Sequence, residues 1–182
     1  MRSALLISAL LFSLFSLGQK EGQSFCKGDY PDGFYFELAI SKKKIYWFDT
    51  YYYEEKIGAK EINGKTYFEF KQTWKDGSFD LLYLRYDGGK VLQFVEGLKE
   101  ETTRYDDHYE IGTTWENAKK DVVYTIKSFE GKLVTPFCKY EGLLIIEAQY
   151  KKVTYNYYYL RGLGYVGATK NNQLVSFITP NM

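Results

Sequence analysis

The stretch "KEINGKTYFEFKQTWKDGSFDLLYLRYDGGKV", residues 60–91, decides the fold class because three turn signals separate its strand-like runs. The turn signals are Asn63-Gly64, Asp76-Gly77 and Asp87-Gly88-Gly89, and the runs between them are about ten residues long. Tight turns between such runs are typical of antiparallel hairpins in series. This part of the chain is therefore predicted to form an antiparallel meander.

The first of these runs predicts one buried and one mostly solvated face, because side chains alternate along a strand. The predicted core face consists of Thr66, Phe68, Phe70, Gln72 and Trp74. The predicted solvated face consists of Tyr67, Glu69 and Lys71.

Similar runs occur along the rest of the chain, and almost no helical periodicity accompanies them. Further strands are predicted at Phe34–Ile40, Lys44–Tyr53, Val91–Val95, Val122–Ser128, Leu143–Tyr150, Thr154–Leu160, Tyr165–Thr169 and Leu174–Ile178. Glu130-Gly131 and Asn171-Asn172 are predicted turns, and Leu98–Lys120 a charged loop or irregular connection. The fold class is thus predicted to be all-β and antiparallel, with about ten strands in a single domain over residues 19–182.

Residues 1–18 are predicted to be a cleavable secretion signal. Arg2 supplies a positive start, the stretch Ser3–Gly18 carries no charge, and Ser16 and Gly18 place small residues before Gln19. Two alternatives are an uncleaved anchor, for which the stretch is short, and a lipoprotein, for which Phe25 fits poorly before Cys26. We therefore expect a protein exported to the periplasm or outside the cell, with no transmembrane segment in the mature chain.

The charge balance argues against nucleic acid as a partner. Removing Arg2 with the signal leaves 23 basic and 23 acidic residues. Binding to phosphates needs an excess of Lys and Arg on one face, and the densest basic cluster, Lys42–Lys44, is three residues long.

Cys26 and Cys138 are the two cysteines of the chain. In an exported protein, two cysteines are candidates for one disulfide bond, which here would close a long loop. In the chain-entropy model such a bond stabilises a fold by about 4 to 5 kcal/mol. The alternative is two unpaired thiols packed in the core.

A literal GxGxxG pattern occurs at Gly162, Gly164 and Gly167, after a strand-like run. A dinucleotide site needs this pattern to open a helix within a βαβ unit and an acidic residue about 20 positions later. Only 15 residues follow Gly167, and none of them is acidic. We therefore expect Gly162 and Gly164 to have a structural role, permitting a bulge or sharp bend between two strands.

No catalytic, metal-binding or cofactor-binding residue is predicted. His108, the sole histidine, lies among Asp106, Asp107 and Glu110, but this spacing selects neither a metal site nor a triad, and a solvated acidic loop is favoured. The adjacent pairs Glu54-Glu55 and Glu100-Glu101 cannot each form a glycosidase dyad, because neighbouring residues on a strand point to opposite faces.

Aromatic side chains are the strongest signal of binding. They make up 19% of the chain and concentrate in "IYWFDTYYY" and "TYNYYYL". Such rings suit a groove for a flat or apolar ligand, although a purely structural core explains them too. The predicted ligand-facing aromatics are Trp47, Trp74, Trp115, Tyr157 and Tyr159.

The C-terminal half, "TPFCKYEGLLIIEAQYKKVTYNYYYLRGLGYV", resembles a pattern in small, uncharacterised exported β-sheet proteins of Gram-negative bacteria, near the TapB-like and LolA-like families. The resemblance covers roughly residues 60–169. The matching residues are Thr135, Phe137, Cys138, Tyr158, Tyr159, Gly162 and Gly164. The resemblance implies a strongly bent antiparallel sheet, such as a half-barrel, open barrel or sandwich-like arrangement, with an apolar concave face.

These observations predict an exported, non-enzymatic binding or envelope-associated protein. Its partner would be an apolar small molecule or another protein, held on the curved sheet. The first alternative is a carbohydrate-binding module that uses exposed Trp and Tyr rings to bind a glycan. The second alternative is a secreted hydrolase.

Overall fold

The computed structural model describes Cys26 and residues 33–180, so the predicted signal segment at 1–18 lies outside the described residues. Within them the chain forms twelve strands and no helix. No part of this described chain is a helix long and apolar enough to cross a membrane. The strands are β1 (Lys42–Trp47), β2 (Thr50–Ile62), β3 (Lys65–Trp74), β4 (Phe79–Asp87), β5 (Lys90–Val95), β6 (Glu100–Asp106), β7 (Thr114–Glu116), β8 (Val122–Val134), β9 (Lys139–Tyr150), β10 (Thr154–Leu160), β11 (Gly164–Lys170) and β12 (Gln173–Thr179).

All twelve strands belong to one open antiparallel sheet with the order β6-β5-β4-β3-β2-β1-β12-β11-β10-β9-β8-β7. The sheet therefore consists of two six-stranded meanders that meet where β1 pairs with β12. The connection from β6 to β7 links the two edges of the sheet. The predicted all-β antiparallel class is confirmed, and the strand count is twelve rather than about ten.

One aromatic run contains two strands where one was predicted. The predicted single strand Lys44–Tyr53 is wrong, because the chain reverses at Phe48 and Asp49 between β1 and β2. Phe48 has φ of 54°, a conformation that is rare for a bulky residue. The predicted loop Leu98–Lys120 is also wrong in part, since it contains β6 and β7.

The three turns of the opening stretch are confirmed, as is the turn at Asn171-Asn172. Each contains residues with positive φ, and Asn63 and Gly64 at 52° and 72° match the hairpin turn that an Asn-Gly pair favours. Glu130-Gly131 is not a turn, because both residues lie within β8. A Cβ at Gly131 would stand 2.5 Å from the Ile145 side chain, so this residue allows β8 and β9 to approach closely.

The face prediction for β3 is correct only in part. Phe70 is buried as expected, but Phe68 is 37% exposed, and Tyr67 on the opposite face is only 2% exposed. Tyr67 is covered by the long side chain of Arg85 and by Phe94. Long charged side chains on the outer face thus bury an aromatic ring there.

The predicted strand Phe34–Ile40 is wrong, because this segment crosses one end of the curved sheet and does not pair along it. Its backbone groups find other partners: the Tyr86 hydroxyl donates to Phe36 O at 2.8 Å and accepts from Leu38 N at 2.9 Å. Gly162 N donates to Phe34 O at 2.9 Å. We call residues 34–40 the plug segment.

The plug segment shows how strongly the sheet curves. The Phe36 ring stacks on Tyr105 of β6 at 5.0 Å and on Tyr159 of β10 at 4.3 Å between ring centroids. These two strands are eight positions apart in the sheet order, which in a flat sheet is roughly 38 Å. The two halves of the sheet therefore face each other across a concave space.

A disulfide joins Cys26 to Cys138 in the turn between β8 and β9, with the Cα atoms 5.4 Å apart. The predicted bond is confirmed, and the alternative of two free thiols is excluded by it. The bond closes a loop with a sequence separation of 112 residues. It ties the chain that precedes the plug segment to the buried cluster around Cys138, Tyr140 and Leu143.

Candidate functional site

The concave space between the two halves of the sheet contains a cavity of about 270 Å³. Strands from both meanders and the plug segment contribute to it, so it exists only in the assembled sheet. Its lining comprises Phe36, Glu37, Leu38, Lys43, Ile45, Trp47, Tyr52, Glu54, Gln72, Leu82, Leu84, Arg104, Trp115, Tyr124, Ile146, Tyr150, Tyr157, Tyr159, Gly164 and Tyr165.

Four of the five aromatics that the sequence predicts to face a ligand line this cavity: Trp47, Trp115, Tyr157 and Tyr159. The Trp47 and Tyr157 rings stack at 6.4 Å between centroids, and the Tyr155 ring lies 6.2 Å from Tyr157 and 5.8 Å from Trp47. These three partly buried rings form a triangular group at the end of the cavity away from the plug segment.

Trp74 does not line the cavity. Its ring lies 4.7 Å from that of Tyr52, and its indole N–H donates to Asp80 at 3.3 Å. It belongs instead to a shallow depression beside the turn between β3 and β4. The predicted aromatics therefore do not form one surface.

One wall of the cavity carries a buried lysine between two carboxylates. Lys43 on β1 pairs in register with Glu54 on β2, so their side chains share a face. Burial lowers the pKa of Lys43, and the charges of Glu54 and Glu37 oppose that shift. Gln72 donates to Glu54 at 2.8 Å and holds its carboxylate in place.

The opposite wall carries Arg104, placed there by a β-bulge. In the β5–β6 register Val91 pairs with Tyr105 and Leu92 with Thr103, so Arg104 is the extra residue. A bulge re-aims side chains, and here both Arg104 and Tyr105 contact the concave side. In the described part of the chain, no acceptor hydrogen-bonds to the Arg104 guanidinium and no carboxylate pairs with it.

Tyrosine hydroxyls surround Arg104. Burial raises the pKa of Tyr52, Tyr124 and Tyr159, and the positive charge of Arg104 partly offsets the rise in each. The charge of the guanidinium therefore acts on hydroxyls from three strands, β2, β8 and β10. All three hydroxyls stay protonated at neutral pH and can donate or accept hydrogen bonds.

The indole N–H of Trp115 is a buried donor without a partner among the described residues. Its ring stacks on Tyr124 at 5.4 Å, the same tyrosine whose hydroxyl lies in the field of Arg104. A buried donor left unpaired costs about 1 to 3 kcal/mol. An acceptor supplied by a ligand would remove that cost.

The predicted glycines lie beside the cavity. Gly162 and Gly164 have φ of 73° and 83° and flank the turn into β11, which is a strand and not a helix. A Cβ at Gly164 would stand 2.9 Å from the Lys43 ammonium. The GxGxxG pattern thus opens no helix here, and Gly164 leaves room for the lysine.

The acidic loop around His108 lies outside the cavity. The His108 side chain is 78% exposed, and its Nδ1 is 2.8 Å from Asp106 Oδ1. Across Cys26 and residues 33–180 no group of three or more His, Cys, Asp or Glu side chains is arranged to hold a metal ion.

A second charged group lies on the opposite face of the sheet, and we call it the outer cluster: Tyr67, Arg85, Glu101 and Lys65. Arg85 donates to both carboxylate oxygens of Glu101, at 2.8 and 2.9 Å, and the Tyr67 hydroxyl donates to the same group. Lys65 adds an ion pair at 3.4 Å. Arg85 and the other donors lower the pKa of Glu101 to about 2.

Comparison with known proteins finds no matching family model, curated protein or solved structure. The resemblance to TapB-like and LolA-like proteins therefore stays a prediction.

The charged members of the cavity are not among the residues predicted from the sequence. Lys43 and Glu54 lie in short charge runs that resemble solvated strand ends, and Arg104 lies in a segment predicted to be a loop. Only the register places Lys43 beside Glu54, and only the bulge turns Arg104 inward.

Proposed function

We propose that this protein binds a small ligand with a flat, apolar body in the concave cavity. The observation that carries the proposal is the lining, in which Trp, Tyr, Leu and Ile side chains surround a few polar groups. Ligand sites are typically concave and mainly apolar, with a small number of placed polar groups. The geometry favours a non-enzymatic binding protein over one that acts on the ligand.

The size of the cavity sets the size of the ligand. A dry cavity of about 150 Å³ accommodates a benzene molecule. The 270 Å³ here suits a fused bicyclic ring or one ring with a short chain. The plug segment closes one end, so entry is favoured at the end where Trp47 and Tyr157 lie.

The group of Trp47, Tyr157 and Tyr155 supports glycan binding as a second candidate, because an aromatic ring can stack on the face of a sugar. The Tyr157 ring makes angles of 23° and 22° with Trp47 and Tyr155, and the Trp47 and Tyr155 rings are tilted by 42°. A hydrolase is less favoured. Glu54 already accepts from Gln72 and Glu37 from Ala39 N, and both carboxylates act on Lys43.

We also propose that the protein works outside the cytoplasm. The disulfide supports this, because such bonds persist mainly in oxidising compartments. This proposal includes export by means of a cleavable signal at residues 1–18. It agrees with the resemblance to exported curved-sheet families.

The test is isothermal titration calorimetry with 2-naphthamide, a neutral bicyclic probe. We expect saturable binding by the unmodified protein and its loss in Leu82→Trp, which fills the cavity from β4. Leu81→Trp is the matched control, because the neighbouring residue points to the other face of the same strand. It should leave binding unchanged.

A titration with cellotriose distinguishes the apolar-ligand candidate from the glycan candidate. If it binds and 2-naphthamide does not, and if Tyr155→Ala abolishes that binding, the glycan candidate replaces the apolar one. If Leu82→Trp and Leu81→Trp affect 2-naphthamide equally, the cavity is not the site.

A further inference from the structure

Arg104 differs from the other cationic side chains that surround the concave space. Lys56 donates to Leu38 O at 3.1 Å, and Lys43 lies in the field of Glu54 and Glu37. No acceptor among the described residues hydrogen-bonds to the Arg104 guanidinium, and none of their carboxylates forms an ion pair with it, although it presents five N–H donors. A partly buried cation of this kind is the place in the cavity where a ligand anion would be most stabilised.

A second observation points to the same corner. The Trp115 ring stacks on Tyr124, its N–H has no partner among the described residues, and the charge of Arg104 acts on the Tyr124 hydroxyl. Trp115 and Arg104 come from β7 and β6, the two edges of the sheet, and line one cavity because the sheet is curved. Hydroxyls of Tyr52 and Tyr159 complete the surroundings.

We propose that the ligand is a carboxylic acid, whose carboxylate pairs with Arg104 while its aromatic or apolar body lies against the rings of the cavity. This inference rests on the proposed function, since it names the class of ligand that the cavity takes. A guanidinium and a carboxylate match in geometry, and their charge-assisted hydrogen bonds are among the strongest in proteins.

A singly charged anion fits better than a phosphate monoester. A phosphate brings a charge of about −1.5 to −2 at neutral pH. The cavity lining holds two cations, Lys43 and Arg104, and two carboxylates, Glu37 and Glu54. Because these charges already balance, each ligand charge adds to them, and a singly charged carboxylate leaves less excess negative charge in the cavity than a phosphate dianion.

The experiment compares 2-naphthoate with its neutral amide, 2-naphthamide, which has nearly the same shape. Binding to the unmodified protein is measured by calorimetry at neutral pH. We expect 2-naphthoate to bind at least about tenfold more tightly than 2-naphthamide. We expect Arg104→Gln to abolish this preference while 2-naphthamide affinity stays within about threefold, and Arg104→Lys to retain part of it.

Two variants act as controls for charge. Lys71→Gln removes a positive charge that lies over the Phe79 ring, away from the cavity, and should leave the preference intact. Lys43→Met removes the cation on which Glu54 and Glu37 act, so it should lower the preference through the remaining negative charge, but by less than Arg104→Gln. Circular dichroism of each variant establishes that it is folded.

The outcomes separate this inference from the proposed function. Equal affinity for the two probes in the unmodified protein would overturn the carboxylate assignment and leave the cavity proposal standing. Loss of the preference in Lys43→Met but not in Arg104→Gln would overturn the role of Arg104. Tighter binding of 2-naphthyl phosphate than of 2-naphthoate would assign a phosphate instead. No binding of either probe would overturn both proposals.

Discussion

The outer cluster and the cavity each contain an arginine, but among the described residues a carboxylate pairs only with the arginine of the outer cluster. In the outer cluster one carboxylate, Glu101, accepts hydrogen bonds from Arg85 and Tyr67 and pairs with Lys65. In the cavity, no acceptor in the described chain hydrogen-bonds to Arg104. The two arginines lie on the same half of the sheet but on opposite faces. The contrast agrees with a structural role for the outer cluster and with the proposal that Arg104 pairs with a ligand.

Breaking the outer cluster has the largest expected effect. Glu101→Gln removes the charge that both Arg85 and Lys65 face, and should lower the free energy of unfolding by about 3 kcal/mol. Urea denaturation at neutral pH measures it. Glu96→Gln is the matched control, because Glu96 forms one exposed pair with Lys60 and its loss should be hard to detect. A loss below about 1 kcal/mol for Glu101→Gln would contradict the structural role.

Acid should weaken the same cluster. The pKa of Glu101 falls from an ordinary 4.5 to about 2 in the folded protein. A carboxyl with a depressed folded pKa stabilises the fold above its unfolded pKa, and this stability is lost as the pH falls from about 4.5 to about 2. The loss is about 2 to 3 kcal/mol.

The check is the difference in free energy of unfolding between the unmodified protein and Glu101→Gln, followed across that pH range. The difference should shrink as the pH falls, since other carboxyls titrate in both proteins. A difference independent of pH would contradict the assignment.

Removing one donor from the cluster should have a smaller effect. Tyr67→Phe deletes the hydroxyl that donates to Glu101 and keeps the buried ring, so we expect a loss of about 1 kcal/mol in urea denaturation. Tyr83→Phe is the comparison, since among the described residues the Tyr83 hydroxyl accepts from the exposed Lys60 alone. Tyr83→Phe should lose less stability than Tyr67→Phe, and the reverse order would show that the hydrogen bond to Glu101 adds little to the outer cluster.

The smallest expected effect on stability is that of Arg104→Gln. Because Arg104 forms no hydrogen bond or ion pair within the part of the chain that the structure describes, the free energy of unfolding should change by less than about 0.5 kcal/mol. The same denaturation measurement checks this. A loss comparable with that of Glu101→Gln would remove the contrast between the two regions.

The antiparallel meander could be predicted from the sequence because its determinants are local. Asn63-Gly64 and Asn171-Asn172 supply the positive φ values that their turns need. The reversal at Phe48 could not be predicted, since a phenylalanine with positive φ gives no signal in an aromatic run. The plug segment has a strand-like composition, and only contacts distant in sequence, such as that with Tyr86, place it across the sheet.

The cavity was predictable as an aromatic surface but not as a charged one. Trp47 and Tyr157 lie in runs that place aromatic rings on both faces of a strand. Such runs are typical of a curved sheet that is covered on its concave side. Arg104 depends on a single extra residue in β6, and the pattern of "EETTRYD" contains no sign of it. Long-range register, rather than composition, decides which charges meet.

The pairing of β1 with β12 has a consequence for how the molecule folds. Each six-stranded meander is built from hairpins between neighbours in sequence, whereas Lys44 pairs with Thr179 at the far end of the chain. Contacts of such long separation form slowly, since a large loop must close first. The two meanders should therefore form early as separate units and join late. Because both contribute to the cavity lining, the ability to bind a probe should develop only with that last step, and would report the completion of folding.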